Sequence, residues 1–285
     1  MDAQGARTGA TGAGTDLTDK EGMKRPPALV VLILAGCQTA FGWGELGHRV
    51  MVRIAESLLT SEARSRVQET LMPGESLVDL ASWADDYRAK APRTAPWHYV
   101  DIPLNSHGLD LQRDCPKGAC VVTKIAEFQQ KWSNPARSPA DRREALLFLI
   151  HLVGDLHQPL HCENNQDDGG NQVRVRFFGE ETNLHSVWDT GMLKRAGDED
   201  HLYAKLAAAL TPDRLAAWPS GTIEQWANES FRLAQGTAYG LLPVVPPGGT
   251  MLLGAWYQSM AEPIAEMQLE KAAVRLASLL NQAAH

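Results

Sequence analysis

Residues 145–161 read ALLFLIHLVGDLHQPLH. The apolar run Leu146–Ile150 continues through Leu152, Val153 and Leu156, so the segment reads as a helix buried in a core. The spacing predicts a helix over 139–157, the most apolar of the chain, ended by Pro159. His151 and Asp155 stand four apart and therefore share one face. An imidazole and a carboxylate buried without partners would be costly. This helix needs something polar to meet it.

Further helices are predicted over 47–59, 60–71, 76–89, 121–132, 186–193, 198–210, 222–240 and 250–282. Pro73-Gly74 separates two of them. Residues 96–102 (PWHYVDI) read as strand or loop. Residues 172–178 (QVRVRFF) alternate as a strand does, with a turn at 179–183. No internal repeat or linker interrupts this pattern. The expectation is a mainly α, single-domain fold over 43–285 with a small β-hairpin.

The chain has 285 residues and a mass of 31.2 kDa, with 44% hydrophobic and 21% charged residues. That composition belongs to a globular protein. Against 27 Lys+Arg stand 34 Asp+Glu, a net charge of −7. A protein that grips nucleic acid through a broad cationic surface is excluded. The nine His residues offer another source of positive charge, through bound metal.

Residues 1–42 are expected to lie outside the fold. Met23-Lys24-Arg25 followed by the apolar run Ala28–Ala35 reads as a signal sequence, with Met23 as the expected true start. The run is too short to span a membrane, and no transmembrane segment is predicted. Ala40 and Gly42 are the small residues that predict cleavage before Trp43. Leu34-Ala35-Gly36-Cys37 offers a competing lipoprotein site, ranked second. The expected location is periplasmic or extracellular. In that oxidising setting Cys115 and Cys120 suit a small loop disulfide, and Cys162 is left over.

The chemistry-bearing residues come in pairs. His185 and Asp189 repeat the i,i+4 spacing of His151 and Asp155. His161 follows the Pro159 break, Asp85 lies in a helical Trp-Ala-Asp, and His98 and His48 lie upstream. Imidazoles and carboxylates without thiolates suit a catalytic zinc site. Walker loop, GxGxxG, HExxH and GxSxG motifs are absent from the sequence. Residues 164–169 (NNQDDG) superficially suggest a calcium loop, but its twelfth position is Val175 where a Glu is needed.

Taken in order, WGELGH (43–48), ASWADDYR (81–88), WHYVDIP (97–103), HLVGDLHQPLH (151–161), GGN (169–171) and NLHSVWDT (183–190) resemble the zinc-dependent, single-strand-specific nucleases of the S-one/P-one family. That family is related in fold to zinc-dependent phospholipase C. The resemblance runs from Trp43 to the C-terminal helix. It implies a trinuclear zinc cluster, with Asp85, His98, His151 and Asp155 on one ion and His161, His185 and Asp189 on a second. The third is implied to take His48, Asp155 as a bridge, and the freed α-amine and carbonyl of Trp43. An α-amine titrates near pH ~8, so zinc displaces its proton readily. Cleavage before Trp43 then becomes a condition of activity.

The implied substrates are single-stranded DNA and RNA, cut to 5′-phosphate products, with 3′-nucleotidase activity compatible. Asp85 is implied to orient the attacking water. Arg88, one turn later, is placed to contact phosphate. Tyr99 is implied to stack on a base whose edge Asp101 and Asn171 bond. An extra residue between His161 and Gly169 departs from the family pattern. The family's short disulfide matches Cys115–Cys120, while His107, His157 and Asp86 match no ligand position. Three Zn²⁺ bring +6 against −3 from Asp85, Asp155 and Asp189, so an acidic protein can hold an electropositive site. A monomer without a stable protein partner is expected. The competing readings are a zinc-dependent phospholipase C and a non-catalytic, metal-binding helical protein.

Overall fold

The computed structural model describes residues 43–246 and 249–283. The expectations about residues 1–42 (the Met23 start, the signal sequence and the Cys37 alternative) lie outside the described residues. At the centre is the helix Pro139–His157. The Ser138 hydroxyl accepts the Asp141 N–H at 3.1 Å to cap it, and every residue from Ala145 to His157 is buried. It packs against the helices Val121–Ser133 and Ala255–Ala283, with Trp83–Lys90 and Glu45–Ser57 closing the remaining sides. Phe148 is the aromatic hub. It stacks on Phe128 at 4.6 Å and meets Trp97, Trp83 and Tyr87 edge-on at 5.2, 5.4 and 5.5 Å.

The last helix carries Leu269, Ala272, Ala273, Leu276 and Leu280 inward at helical spacing. Its buried charges are paired: Glu266 with Lys205, Glu270 with Arg214, and Arg275 with Glu229. The described residues belong to one compact unit, mainly α. No helix among them is long and apolar enough to cross a membrane.

The β-hairpin is present, and it is larger than expected. β1 (Arg174–Phe177) pairs antiparallel with β2 (Glu180–Asn183) across Phe178-Gly179, both at positive φ. The turn expected over 179–183 is therefore mostly a second strand. A third strand, β3 (Met251–Leu253), pairs parallel with β1, so the last helix begins at Ala255 and not at 250.

Other boundaries shift for local reasons. Residues 77–82 form turns, and helix begins only at Trp83; the Ala81 carbonyl just before it accepts the His151 Nδ1–H at 2.9 Å. Pro92–His98 is a 3₁₀ turn, and extended chain starts at Tyr99, whose carbonyl accepts the Val121 N–H. The segment expected as one helix over 222–240 is helix at Ile223–Leu233, then a π-turn at Ala234–Tyr239. Two short helices, Leu111–Asp114 and Pro212–Ala217, were not expected. Cys115 and Cys120 form a disulfide, and Cys162 is a buried free thiol.

Candidate metal centre

The central helix presents His151 and Asp155 to one side, and other elements bring their partners. His48 comes from the helix Glu45–Ser57, and its ring stacks on His151 with centroids 4.1 Å apart. Asp85 comes from Trp83–Lys90, where it is buried while the neighbouring Asp86 is exposed. His98 ends the 3₁₀ turn, and His161 lies in the short turn that Pro159 starts. His185 lies in the short helix Leu184–Ser186 and Asp189 within the π-turn Val187–Gly191 that follows it, a local widening of helix common at functional sites.

Asp155 is the meeting point. Its Oδ2 lies 2.9 Å from His98 Nδ1 and 3.2 Å from His151 Nε2. Its Oδ1 lies 3.4 Å from His48 Nε2 and 3.9 Å from His161 Nδ1. Asp85 Oδ1 stands 3.5 Å from His151 Nε2 and 3.8 Å from His98 Nδ1. His185 Nε2 and Asp189 Oδ2 are 3.0 Å apart. Trp43 is buried beside the cluster. Its carbonyl oxygen contacts His48 Nδ1, and the Gly44 N–H bonds the Asp189 carbonyl at 2.8 Å.

These donors form three groups able to hold a metal ion: His48, His151 and Asp155; Asp85, His98 and His151; and His161, His185 and Asp189. His151 thus falls within reach of two groups, where the resemblance implied one. The Nε2 atoms of His98, His151 and His161, and the Oδ1 atoms of Asp85 and Asp155, are buried without a hydrogen-bond partner among the described residues. Buried polar atoms without partners are rare, and a divalent cation would satisfy most of them together.

The opposite ring atoms are held by backbone carbonyls. His151 Nδ1–H donates to Ala81 at 2.9 Å, His161 Nδ1–H to His98 at 2.8 Å, and His185 Nδ1–H to Gly169 at 2.6 Å. Each bond fixes a tautomer that leaves Nε2 a lone pair for metal. Gln158 donates to Asp189 Oδ1 at 2.5 Å and orients that carboxylate in the same way.

The charges in the cluster are strongly interdependent. Burial holds His161 down at about 3, so its imidazole is neutral. Burial raises Asp189 to about 6, against the pull of His185 and Gln158. Burial also opposes charge on His151 and Asp155, but their mutual attraction wins. It pushes His151 well above the usual histidine range and Asp155 well below the usual carboxylate range.

A cavity of about 330 Å³ opens onto His98, His161 and His185. Arg88, Tyr99, Asp101 and Asn171, four residues singled out in the sequence, line it too. Arg88 also stands 3.5 Å from Asp85 Oδ1. Glu163, Asn164, Gln166 and Asp168 complete the polar wall. These four were not singled out in the sequence as site residues, although three of them, Asn164, Gln166 and Asp168, lie in the polar run NNQDDG (164–169) that begins three residues after His161. Glu163 is buried, and burial raises it to about 8 although Tyr239 bonds it. His157 and His107 lie apart from the cluster. His157 Nδ1–H donates to Val153, and its Nε2 accepts from Arg275 at 2.9 Å. His107 is exposed.

Such a centre, with buried imidazoles and carboxylates, no thiolate and an adjoining polar cavity, defines a hydrolase class that works through bound metal. The particular family is a nuclease one: the profile of S1/P1 Nuclease matches residues 43–285, and the chain belongs to that family. It is 33% identical over 273 residues to Nuclease S1 of Aspergillus oryzae, covering 87% of this chain and 94% of that protein. Nuclease P1 of Penicillium citrinum is 31% identical over 271 residues (84% and 97%). Endonuclease 1 of Arabidopsis thaliana is 31% identical over 283 residues (89% and 91%). The protein is a nuclease, a phosphodiester hydrolase whose substrate is nucleic acid.

Proposed function

We propose that the processed chain, beginning at Trp43, uses three zinc ions to hydrolyse single-stranded DNA and RNA to 5′-phosphate products and to dephosphorylate 3′-nucleotides. The observation that carries this reading is Asp155, whose two oxygens face His98 and His151 on one side and His48 on the other. A carboxylate so placed can bridge two ions. The proposed ligands are Asp85, His98, His151 and Asp155; His161, His185 and Asp189; and His48, Asp155 and the α-amine and carbonyl of Trp43. An imidazole and carboxylate set suits zinc, and the orphaned ring nitrogens support it.

Bound zinc supplies a Lewis acid and a water with a pKa of about 7. The residues of the chain do the rest. Asp85 orients the attacking water through its carboxylate, and Arg88 binds the scissile phosphate from the same helix. Tyr99 stacks on an unpaired base, and Asp101 and Asn171 bond its edge. The cavity accepts one base out of its stack, which a paired strand gives up only at a cost of a few kcal/mol. The apolar run 28–35 and the small residues before Trp43 support export to the periplasm or medium.

The test is zinc stoichiometry of the processed protein beside cleavage of denatured DNA, RNA, duplex DNA and phosphatidylcholine liposomes, with and without chelator. Expected are three zinc per chain and chelator-sensitive cleavage that favours single strands. Lipid cleavage without nucleic-acid cleavage, or bound zinc without any phosphoester cleavage, would overturn the proposal.

A further inference from the structure

The π-turn Ala234–Tyr239 sends two side chains, four residues apart, to two neighbouring segments beside the cavity. The Tyr239 hydroxyl lies 2.9 Å from Glu163 Oε1 and 2.8 and 2.9 Å from the two carboxylate oxygens of Asp167. Gln235 Nε2 donates to the Leu104 carbonyl at 2.6 Å and lies 3.4 Å from that of Ser106. Tyr239 holds the 163–171 loop, which lines the cavity, and Gln235 holds the chain after Asp101, to which that loop is joined by the Asn164 N–H at 2.7 Å from the Ile102 carbonyl and the Leu104 N–H at 3.0 Å from that of Asn164.

The loop needs such ties. Gln166 and Asp168 hold positive φ at 61° and 58°, a conformation unfavourable for residues with a side chain. Asp167 is the hub between them. Its carboxylate accepts the Gly170 N–H at 2.8 Å and the Asn165 amide at 3.1 Å, and Tyr239 is its tie to a distant element. The strained loop carries Gln166, Asp168 and Asn171 on the cavity wall.

We propose that Tyr239 is a positioning residue for base recognition: it holds the 163–171 loop in the shape that forms the polar wall against which a base lies, and touches neither metal nor phosphate, while Gln235 secures the chain to which that loop is joined. The proposal rests on the nuclease reading above and deepens it. Without the phenol oxygen, Asp167 loses its distant anchor and the loop relaxes from its strained shape. The loss falls on the base so long as Gly169, whose carbonyl holds His185 from the same loop, keeps that bond, and zinc content reports whether it does.

The experiment uses zinc-loaded, processed wild type, Tyr239→Phe and Gln235→Ala. Their kcat and KM are measured on denatured DNA, with inhibition by adenosine 5′-monophosphate and by inorganic phosphate, and zinc content. Expected for Tyr239→Phe are a KM and a nucleotide inhibition constant about 10-fold weaker, the loss of one hydrogen bond to a charged group, and for Gln235→Ala, which loses a bond to a neutral carbonyl, a smaller weakening of the same two constants. The value of kcat, phosphate inhibition and zinc content stay within about twofold. Unchanged nucleotide inhibition in both variants, or equal weakening for nucleotide and phosphate together with zinc loss, would overturn the proposal. If wild type cuts nucleic acid and the variants match it, the nuclease reading stands and this one falls. Wild type that cuts nothing removes both.

Discussion

His48 and His151 stack with ring planes 7° from parallel, although 103 residues separate them in the chain. The stack is possible because the central helix has a glycine, Gly154, where His48 lies against it. A Cβ there would stand 2.8 Å from His48 Cδ2, 2.9 Å from Nε2 and 3.0 Å from Met51 Cε. Gly154→Ala is a helix-favouring change that must push the His48 ring away. We expect it to cost about 1–3 kcal/mol of stability and to lower zinc content below wild type. Elemental analysis with a thermal melt checks this, and a fully loaded, equally stable variant would refute it.

Asp155 and Gln158 separate a proposed ligand from the group that orients one. Asp155→Asn removes the charge at the meeting point, and we expect kcat/KM to fall more than about 100-fold with zinc lost. Gln158→Ala frees one oxygen of Asp189, for which an orienting partner accounts for about 10–100-fold in metal affinity. Competition with a chelator ranks the two, and Gln158→Ala should recover activity when zinc is raised.

His157 makes stability depend on acidity. Burial, reinforced by Arg275, lowers it to about 3, against about 6.5 in the unfolded chain. Below that unfolded value the unfolded state binds more protons. The contribution of His157 is therefore complete above pH ~6.5 and is lost as the pH falls toward the folded value. Denaturant midpoints from pH 7 to pH 4 should drop less steeply in His157→Gln than in wild type. Equal slopes would remove His157 as a cause.

Phe148 holds the aromatic hub that fixes the central helix against Phe128, Trp97 and Trp83. Phe148→Ala should cost about 3–5 kcal/mol in urea unfolding, with active-site zinc retained in the folded fraction.

The central helix, its Pro159 stop and the two i,i+4 His/Asp pairs were legible because each depends on residues within a turn or two of one another. Asp85 could be told from Asp86 only through the resemblance of its motif, and the burial of one and exposure of the other now give the physical reason. The third strand was not legible. Met251–Leu253 has a short apolar sequence compatible with helix, and only pairing with β1 makes it extended.

The amino-acid sequence by itself determined which side chains can carry the chemistry and which helical faces they occupy, since helix geometry is local and repeats every few residues. Tertiary structure alone decided that His48, His98 and His161 meet Asp155, and that Gln235 and Tyr239 tie the segments beside the neighbouring cavity. Those distances belong to packing between segments far apart in the chain, and no local pattern encodes where a distant carbonyl or phenol comes to rest.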